Sequence, residues 1–233
     1  MKSTKIMKKQ TKKTTEPAVE ETKKVEPAKV EEKPKEEKQT ANMYSADSMA
    51  SFVDNYFLSQ RAVWLDTDID SELCSYIVKQ LNLWLDGTKL PVYIFINSPG
   101  GSMHVASAIV DTMKALEAAG SKVYTINVAL AASAAAIVFS AGTKGCRFAY
   151  PSSRVMFHQG RFSGEFEALK SEDLEIYKRE LDIANEMFMS LLANASSMPI
   201  AQVKELMMKD SYFSAKEAKK LGVVDKIQVF TLP

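Results

Sequence analysis

The chain has 233 residues, 46% hydrophobic and 25% charged, with a formal net charge of +1. Such a composition suits one sizeable domain with a real core plus an appendage, and its charge argues for neither nucleic acid nor a membrane surface as partner. Cys74 and Cys146 are its two cysteines, far apart and without metal-ligand spacing, so they read as reduced, buried thiols of a cytosol-like compartment and imply no disulfide framework or metal.

Residues 1–42 are rich in Lys, Glu, Thr and Pro and contain no aromatic residue. Such a segment cannot bury enough apolar surface to offset its ordering entropy, and Pro17, Pro27 and Pro34 interrupt any helix. It reads as a disordered N-terminal extension or a removable propeptide; its lysine-rich start suits a solvated tail better than a nucleic-acid tether. It has no apolar h-region and no Arg, which argues against secretory and mitochondrial leaders, and no apolar run in the chain is long enough to span a bilayer.

The ordered domain is expected over 43–233. A short helix is predicted from Ser51 to Leu58 and a strand over Ala62–Leu65. Asp68 or Asp70 caps a helix with apolar positions Ile69, Leu73, Ile77, Leu81 and Trp84, ended by Gly87. Val92–Ile96 is a continuous apolar strand of the kind buried on both faces. Asn97-Ser98-Pro99-Gly100-Gly101-Ser102 then turns into a helix with one apolar face, Val105, Ile109, Met113 and Leu116, giving a βαβ pattern. The adjacent glycines allow close approach of a ligand, although an ordinary tight turn would look the same; the spacings of a phosphate loop and of a dinucleotide fingerprint are both absent.

Val123–Val128 reads as a strand that passes through Leu130-Ala131-Ala132 to Ser133 and on into a small-residue helical run. A hydroxyl at such a junction suits a nucleophile, because the turn exposes the side chain and the helix N-terminus aims N–H groups at nearby negative charge. A tightly packed core helix has the same signature. Strands follow near Arg147–Tyr150 and toward His158. The longest helix, Ser171–Asn194, has apolar residues three and four apart at Leu174, Tyr177, Leu181, Ala184, Phe188 and Leu191, a heptad-like seam suited to a facing helix. Pro199 starts a short helix, Ser214–Glu217 is a capping box, Gly222 closes the last helix, and Val223–Ile227 is a final strand.

Were Ser133 to need a general base, His104 and His158 are the only histidines available. An acid such as Asp210 could orient the base but does not stand out among 29 acidic residues.

INSPGGS, AASAAA, SRVMFHQ and KDSYFSAKEAKKLGVVDKI occur here in the order and at the intervals of the Clp protease proteolytic subunit (ClpP) family, which the chain resembles from about Arg61 to Ile227. The resemblance implies an α/β fold, a ClpP/crotonase-like spiral of ββα units with a protruding handle helix. It implies a serine endopeptidase with Ser133 as nucleophile, His158 as base and Asp210 as its partner, and an oxyanion hole from the N–H groups of Gly101 and Ala134. It implies no cofactor. Tyr93 and Phe95 match aromatic positions that line the docking pocket for an AAA+ ATPase unfoldase, though both also suit plain core. By the same resemblance the long helix is the handle through which stacked heptameric rings meet, enclosing sites that receive unfolded protein.

The chain departs from the family pattern at Ala129-Leu130, where Gly-Gln is usual, and at Ala134-Ala135, where Met-Gly is usual. Gly160 stands for a usual proline, and Lys209 for a usual arginine at a position linked to contacts between rings. The first two changes are expected to line the S1 region or crowd the nucleophile turn; Lys209 cannot form the bidentate pairs of Arg. Three alternatives share much of this pattern: a catalytically silent ring subunit, a phage prohead-type maturation peptidase, and a crotonase-type acyl-CoA enzyme.

Overall fold

The apolar run at Val92–Ile96 lies inside a parallel sheet, where continuous hydrophobicity is needed because both faces are covered. The computed structural model describes residues 46–161 and 170–233. The head at 1–42 and its boundary at 43 lie outside the described residues. The element order is α1 (Ala46–Ser59), β1 (Ala62–Leu65), α2 (Ser71–Leu83), β2 (Val92–Ser98), α3 (Met103–Ala118), β3 (Val123–Ala132) and α4 (Ala134–Ser140). Then follow β4 (Arg147–Ala149), β5 (Arg154–Phe157), α5 (Ser171–Ala195), α6 (Ile200–Met207), β6 (Ser211–Ser214), α7 (Ala215–Lys220) and β7 (Lys226–Ile227).

The sheet runs β1-β2-β3-β4-β7, with every neighbouring pair parallel. β3 serves two neighbours in succession: Thr125–Asn127 pair with β4, and Leu130–Ala132 pair with β5. β6 adds to β5 antiparallel. The result is the mixed α/β architecture, central sheet and packed helices, that the βαβ pattern predicts.

Alternation along β2 sorts its residues between two apolar layers. Ile94 and Ile96 join the main core with Ile77 and Leu81 of α2, Ile109 and Met113 of α3, and the alanines of α4. Each fully buried Ile or Leu contributes roughly 2–3 kcal/mol through the area it removes from water. Tyr93 and Phe95 point the other way, into a smaller aromatic layer with Ile126 and Phe148, roofed by Phe57, Trp64 and Phe230.

The sequence signals at several boundaries resolve in detail. Asp70 is the cap of α2, its carboxylate accepting the Leu73 N–H at 2.9 Å. Ile69 precedes the cap and bridges to Gly101, so it is not a helical position. Trp84 ends α2, and Gly87 (φ +78°) lies in the turn beyond it. Pro199 is the cap of α6 rather than its first residue. Ser214 and Glu217 form the expected capping box. Along α5, Ala184, Phe188 and Leu192 are buried, whereas Leu174, Ile176, Tyr177 and Ile183 are exposed. Within the seam itself Ala184 and Phe188 are buried, Leu181 and Leu191 half-buried, and Leu174 and Tyr177 exposed, so burial increases toward the C-terminal half.

Both cysteines are free thiols; Cys146 is buried and Cys74 half-buried. Arg147 is fully buried, with its guanidinium on both carboxylate oxygens of Asp225 (2.7 and 2.9 Å) and on the carbonyls of Ala195 and Gly222. Burial pushes the Asp225 carboxyl up, but the hydrogen bonds and charge of Arg147 outweigh it and hold the group below its usual range. No described helix is long and apolar enough to cross a membrane.

Candidate active site

β3 ends in a sharp turn. Ser133 adopts φ +52°, ψ −125°, a conformation that a residue with a Cβ adopts only under constraint, at a cost of roughly 1–3 kcal/mol. Two hydrogen bonds hold it: its N–H donates to the Met156 carbonyl of β5 and its own carbonyl accepts the Ala136 N–H, both at 3.0 Å. The turn thus lifts the Ser133 hydroxyl out of the sheet at the start of α4.

A register shift brings a second turn alongside. Ile96 of β2 pairs with Asn127, but Ser98 pairs with Ala131, so β3 bulges and the Pro99-Gly100-Gly101 turn meets Ser133. A Cβ on Gly100 would lie 2.7 Å from the Ala132 carbonyl oxygen and from the Ser133 Cβ; one on Gly101 would lie 2.5 Å from the Ile69 carbonyl oxygen. Both positions require glycine because of close backbone approach. The Gly100 carbonyl and the Ser102 N–H bond Ile69, leaving the Gly101 N–H outside that ladder. Ala134 opens α4, where an N–H has no intrahelical acceptor.

His158 follows β5 by one residue, and Asp210 precedes β6 by one. Pairing of Phe157 with Ser211 therefore sets the two side by side. His158 Nε2 lies 2.7 Å from Ser133 Oγ, a hydrogen bond. His158 Nδ1 lies 3.7 Å from Asp210 Oδ1, an ionic approach too long for a hydrogen bond. Among the described residues Nδ1 has no hydrogen-bond partner, although it is buried. The guanidinium of Arg161 makes a short contact with that same Oδ1. Burial lowers the imidazole pKa below its ordinary value, the Arg161 charge lowers it further, and Asp210 opposes both.

Ser133, His158 and Arg161 share a cleft of about 520 Å³, and Asp210 lies behind His158 and Arg161, outside its lining. Gly101, Ser133 and His158 contribute to its wall, Met103, Met156, Leu181 and Ala184 its apolar surface, and Arg161 and Glu180 its charged edge. His104 lines the same cleft from the first turn of α3, but the bond to Ser133 is made by His158. Ala129, Leu130, Ala134 and Ala135 do not line the cleft; Ala134 and Ala135 are fully buried and act through packing, whereas Leu130 is half-buried and Ala129 exposed. A second cleft of about 520 Å³, between α1 and α2, holds Phe57, Trp64 and Tyr76 and contains no Ser, Cys or His. Among the described residues no group of three or more His, Cys, Asp or Glu could hold a metal ion.

Two contributors escape the sequence reading. The Gly160 N–H donates to Asn185 Oδ1 at 2.7 Å, tying the segment after His158 to α5. A proline there has no N–H to give, so Gly160 and Asn185 form a paired device. Arg161 carries no sequence signal, being one of many surface cations. Tyr93 and Phe95 lie away from this cleft, 5% and 4% exposed, with Phe230 packed on both rings at 5.6 and 6.2 Å.

The Clp protease family model matches residues 37–230. The chain is 36% identical over 171 residues to ATP-dependent Clp protease proteolytic subunit 2 of Prochlorococcus marinus (strain NATL2A), covering 72% of this chain and 82% of the relative. It is also 36% identical over 170 residues to ATP-dependent Clp protease proteolytic subunit 3 of Synechococcus sp. (strain CC9605), with the same coverage of each chain. A match over most of the described domain, together with the fold, leads to one assignment: the chain belongs to the Clp protease family of serine peptidases and is a ClpP-like protease.

Proposed function

We propose that Ser133, His158 and Asp210 act as a catalytic triad that hydrolyses peptide bonds of unfolded protein. The observation that carries this reading is the 2.7 Å contact between His158 Nε2 and Ser133 Oγ at a strained strand-to-helix turn. His158 takes the hydroxyl proton as Oγ attacks the substrate carbonyl carbon. The carbonyl oxygen gains negative charge and is received by the N–H groups of Gly101 and Ala134. His158 then returns the proton to the leaving amine, and water repeats the sequence on the acyl-enzyme to release the second product. Asp210 stabilises the imidazolium that forms in each step. No cofactor is needed for this chemistry.

The exposed half of the α5 seam supports a large homo-oligomer of stacked rings, heptameric in this reading, because exposed apolar residues at heptad spacing want a facing helix. Enclosure admits short peptides and excludes folded proteins. A Clp-type AAA+ ATPase unfoldase then feeds the chamber, a role consistent with the "ATP-dependent" in the relatives' names, and Tyr93 and Phe95 form the base of its docking pocket. The head at 1–42 is an extension or a propeptide, and the compartment is cytoplasmic. The 3.7 Å separation of His158 and Asp210 favours a second reading, a ring subunit of weak or no activity.

Purified full-length protein, tested against a short fluorogenic peptide and a serine-reactive fluorophosphonate, separates the two. Cleavage with labelling at Ser133 supports the triad; no cleavage and no labelling from an intact large oligomer supports the silent subunit. Light scattering that reports a fully active monomer overturns the ring.

A further inference from the structure

Asp210 Oδ1 has two claimants. Arg161 holds it in a short contact, and His158 Nδ1 faces it from 3.7 Å with no other acceptor among the described residues. We propose that Arg161 is a positioning residue that competes with His158 for Asp210, so that release of one carboxylate oxygen by the guanidinium sets the working strength of the base. The inference rests on the triad reading.

Three features make the exchange possible. First, the need is created by the reaction itself. Once Nε2 has taken the Ser133 proton, the imidazole is a cation whose Nδ1–H needs an anionic acceptor, and Oδ1 is the nearest one. Second, the movable part is the side chain. The backbone on either side of the contact is pinned, since Gln159 N–H donates to the Met207 carbonyl at 2.9 Å and Gly160 N–H to Asn185 at 2.7 Å. The Arg161 side chain is 65% exposed and that of Asp210 43%, so both can shift without disturbing the core. Third, the electrostatics act in one direction. While Arg161 sits on Asp210 it neutralises the charge that would stabilise the imidazolium and adds a cation beside it. Among the described residues the other charged or titratable groups around the site are His104 and Glu180 at the cleft and Lys209 next to Asp210; of these charges, Arg161 and Asp210 are the ones that act on His158.

The test compares wild type, R161K and R161M as full chains, measuring kcat and KM for a short fluorogenic peptide across pH. R161M keeps much of the aliphatic stem and loses the charge. Its kcat should rise roughly threefold or more at neutral pH with little change in KM, and the acid limb of kcat/KM should move to higher pH. R161K, a point charge without the planar fork, should fall between the two. In wild type, added salt should raise kcat by screening an exposed pair, and in R161M it should not. In a D210N background the Arg161 substitution should have a clearly smaller effect, because the shared oxygen has lost its charge and only the direct influence of the guanidinium on the imidazole remains. An R161M enzyme as slow as or slower than wild type with an unmoved acid limb overturns the competition, as does a wild-type kcat indifferent to salt. The two layers separate cleanly. D210N as active as wild type removes the triad reading and this inference with it; inactive D210N beside an unchanged R161M removes the inference alone.

Discussion

Two Arg–Asp contacts in this chain use the same chemistry for different ends. Arg147 is buried and Asp225 partly so, with side chains 2% and 16% exposed, and the guanidinium also reaches two carbonyls, so its hydrogen-bonding capacity is largely used. Arg161 and Asp210 are 65% and 43% exposed, and the carboxylate faces an imidazole whose Nδ1 has no hydrogen-bond partner among the described residues. The first pair joins β4 to the end of α5, the turn after α7 and the segment leading into β7; breaking it leaves a charge in the core. The second lies at the mouth of a cleft, where a carboxylate can change partners at little cost to the fold. A saturated ion pair fixes a structure, and an unsaturated one can serve a reaction.

The largest expected effect lies at the cleft. Ser133→Ala should lower peptide cleavage on the order of 10⁴- to 10⁶-fold while the melting temperature stays within a few degrees, since Ala meets the same backbone strain as Ser. More than a tenth of wild-type activity would be fatal to the assignment. Asp210→Asn should lower kcat on the order of 10⁴-fold and leave urea stability within about 1 kcal/mol, because the pair it breaks is exposed. A large loss of stability would make Asp210 a structural residue like Asp225.

Arg147→Met sharpens the contrast from the other side. It strands the Asp225 carboxylate, and breaking a buried pair in this way costs about 3–5 kcal/mol. Activity per folded molecule should survive. Loss under 1 kcal/mol in urea denaturation would erase the distinction between the pairs.

Acid separates them more gently. His158 is held below its ordinary pKa, so it stays neutral, and competent as a base, to lower pH than a free imidazole. The acid limb of kcat/KM should fall below pH 6.5. For stability the sign is the same: the unfolded histidine binds its proton first, so its contribution declines as pH falls from the unfolded value through the folded one. Asp225, lowered by Arg147, contributes fully above the unfolded carboxylate pKa and loses that contribution as pH falls through its depressed folded value. Activity should therefore fail well before the Arg147 network does. The smallest effect belongs to Asn185→Ala, which leaves the Gly160 N–H without its acceptor and should cost about 0.5–1.5 kcal/mol, read as a slight drop in urea midpoint.

Much of this was written in local sequence. Continuous apolar character specified β2, three- and four-residue spacing specified α3 and α5, and Asp70 and Ser214 marked helix starts through hydrogen bonds that reach only three residues. The strand-to-helix junction at Ser133 was legible because an apolar run gives way there to small residues. Other features were not legible. β6 escaped notice because four residues, Ser211–Ser214, are too short for a period to register, yet it is this strand that brings Asp210 to His158. Ser133 and His158 are 25 positions apart, and the bond between them depends on β5 lying against the far end of β3. The bulge that turns Gly100 toward Ser133, the use of the Gly160 N–H by Asn185 and the hold of Arg161 on Asp210 all join residues from different elements. Hydrogen bonds within a few residues leave a trace in the local pattern. Those between strands and helices depend on register and packing, which only the folded chain decides.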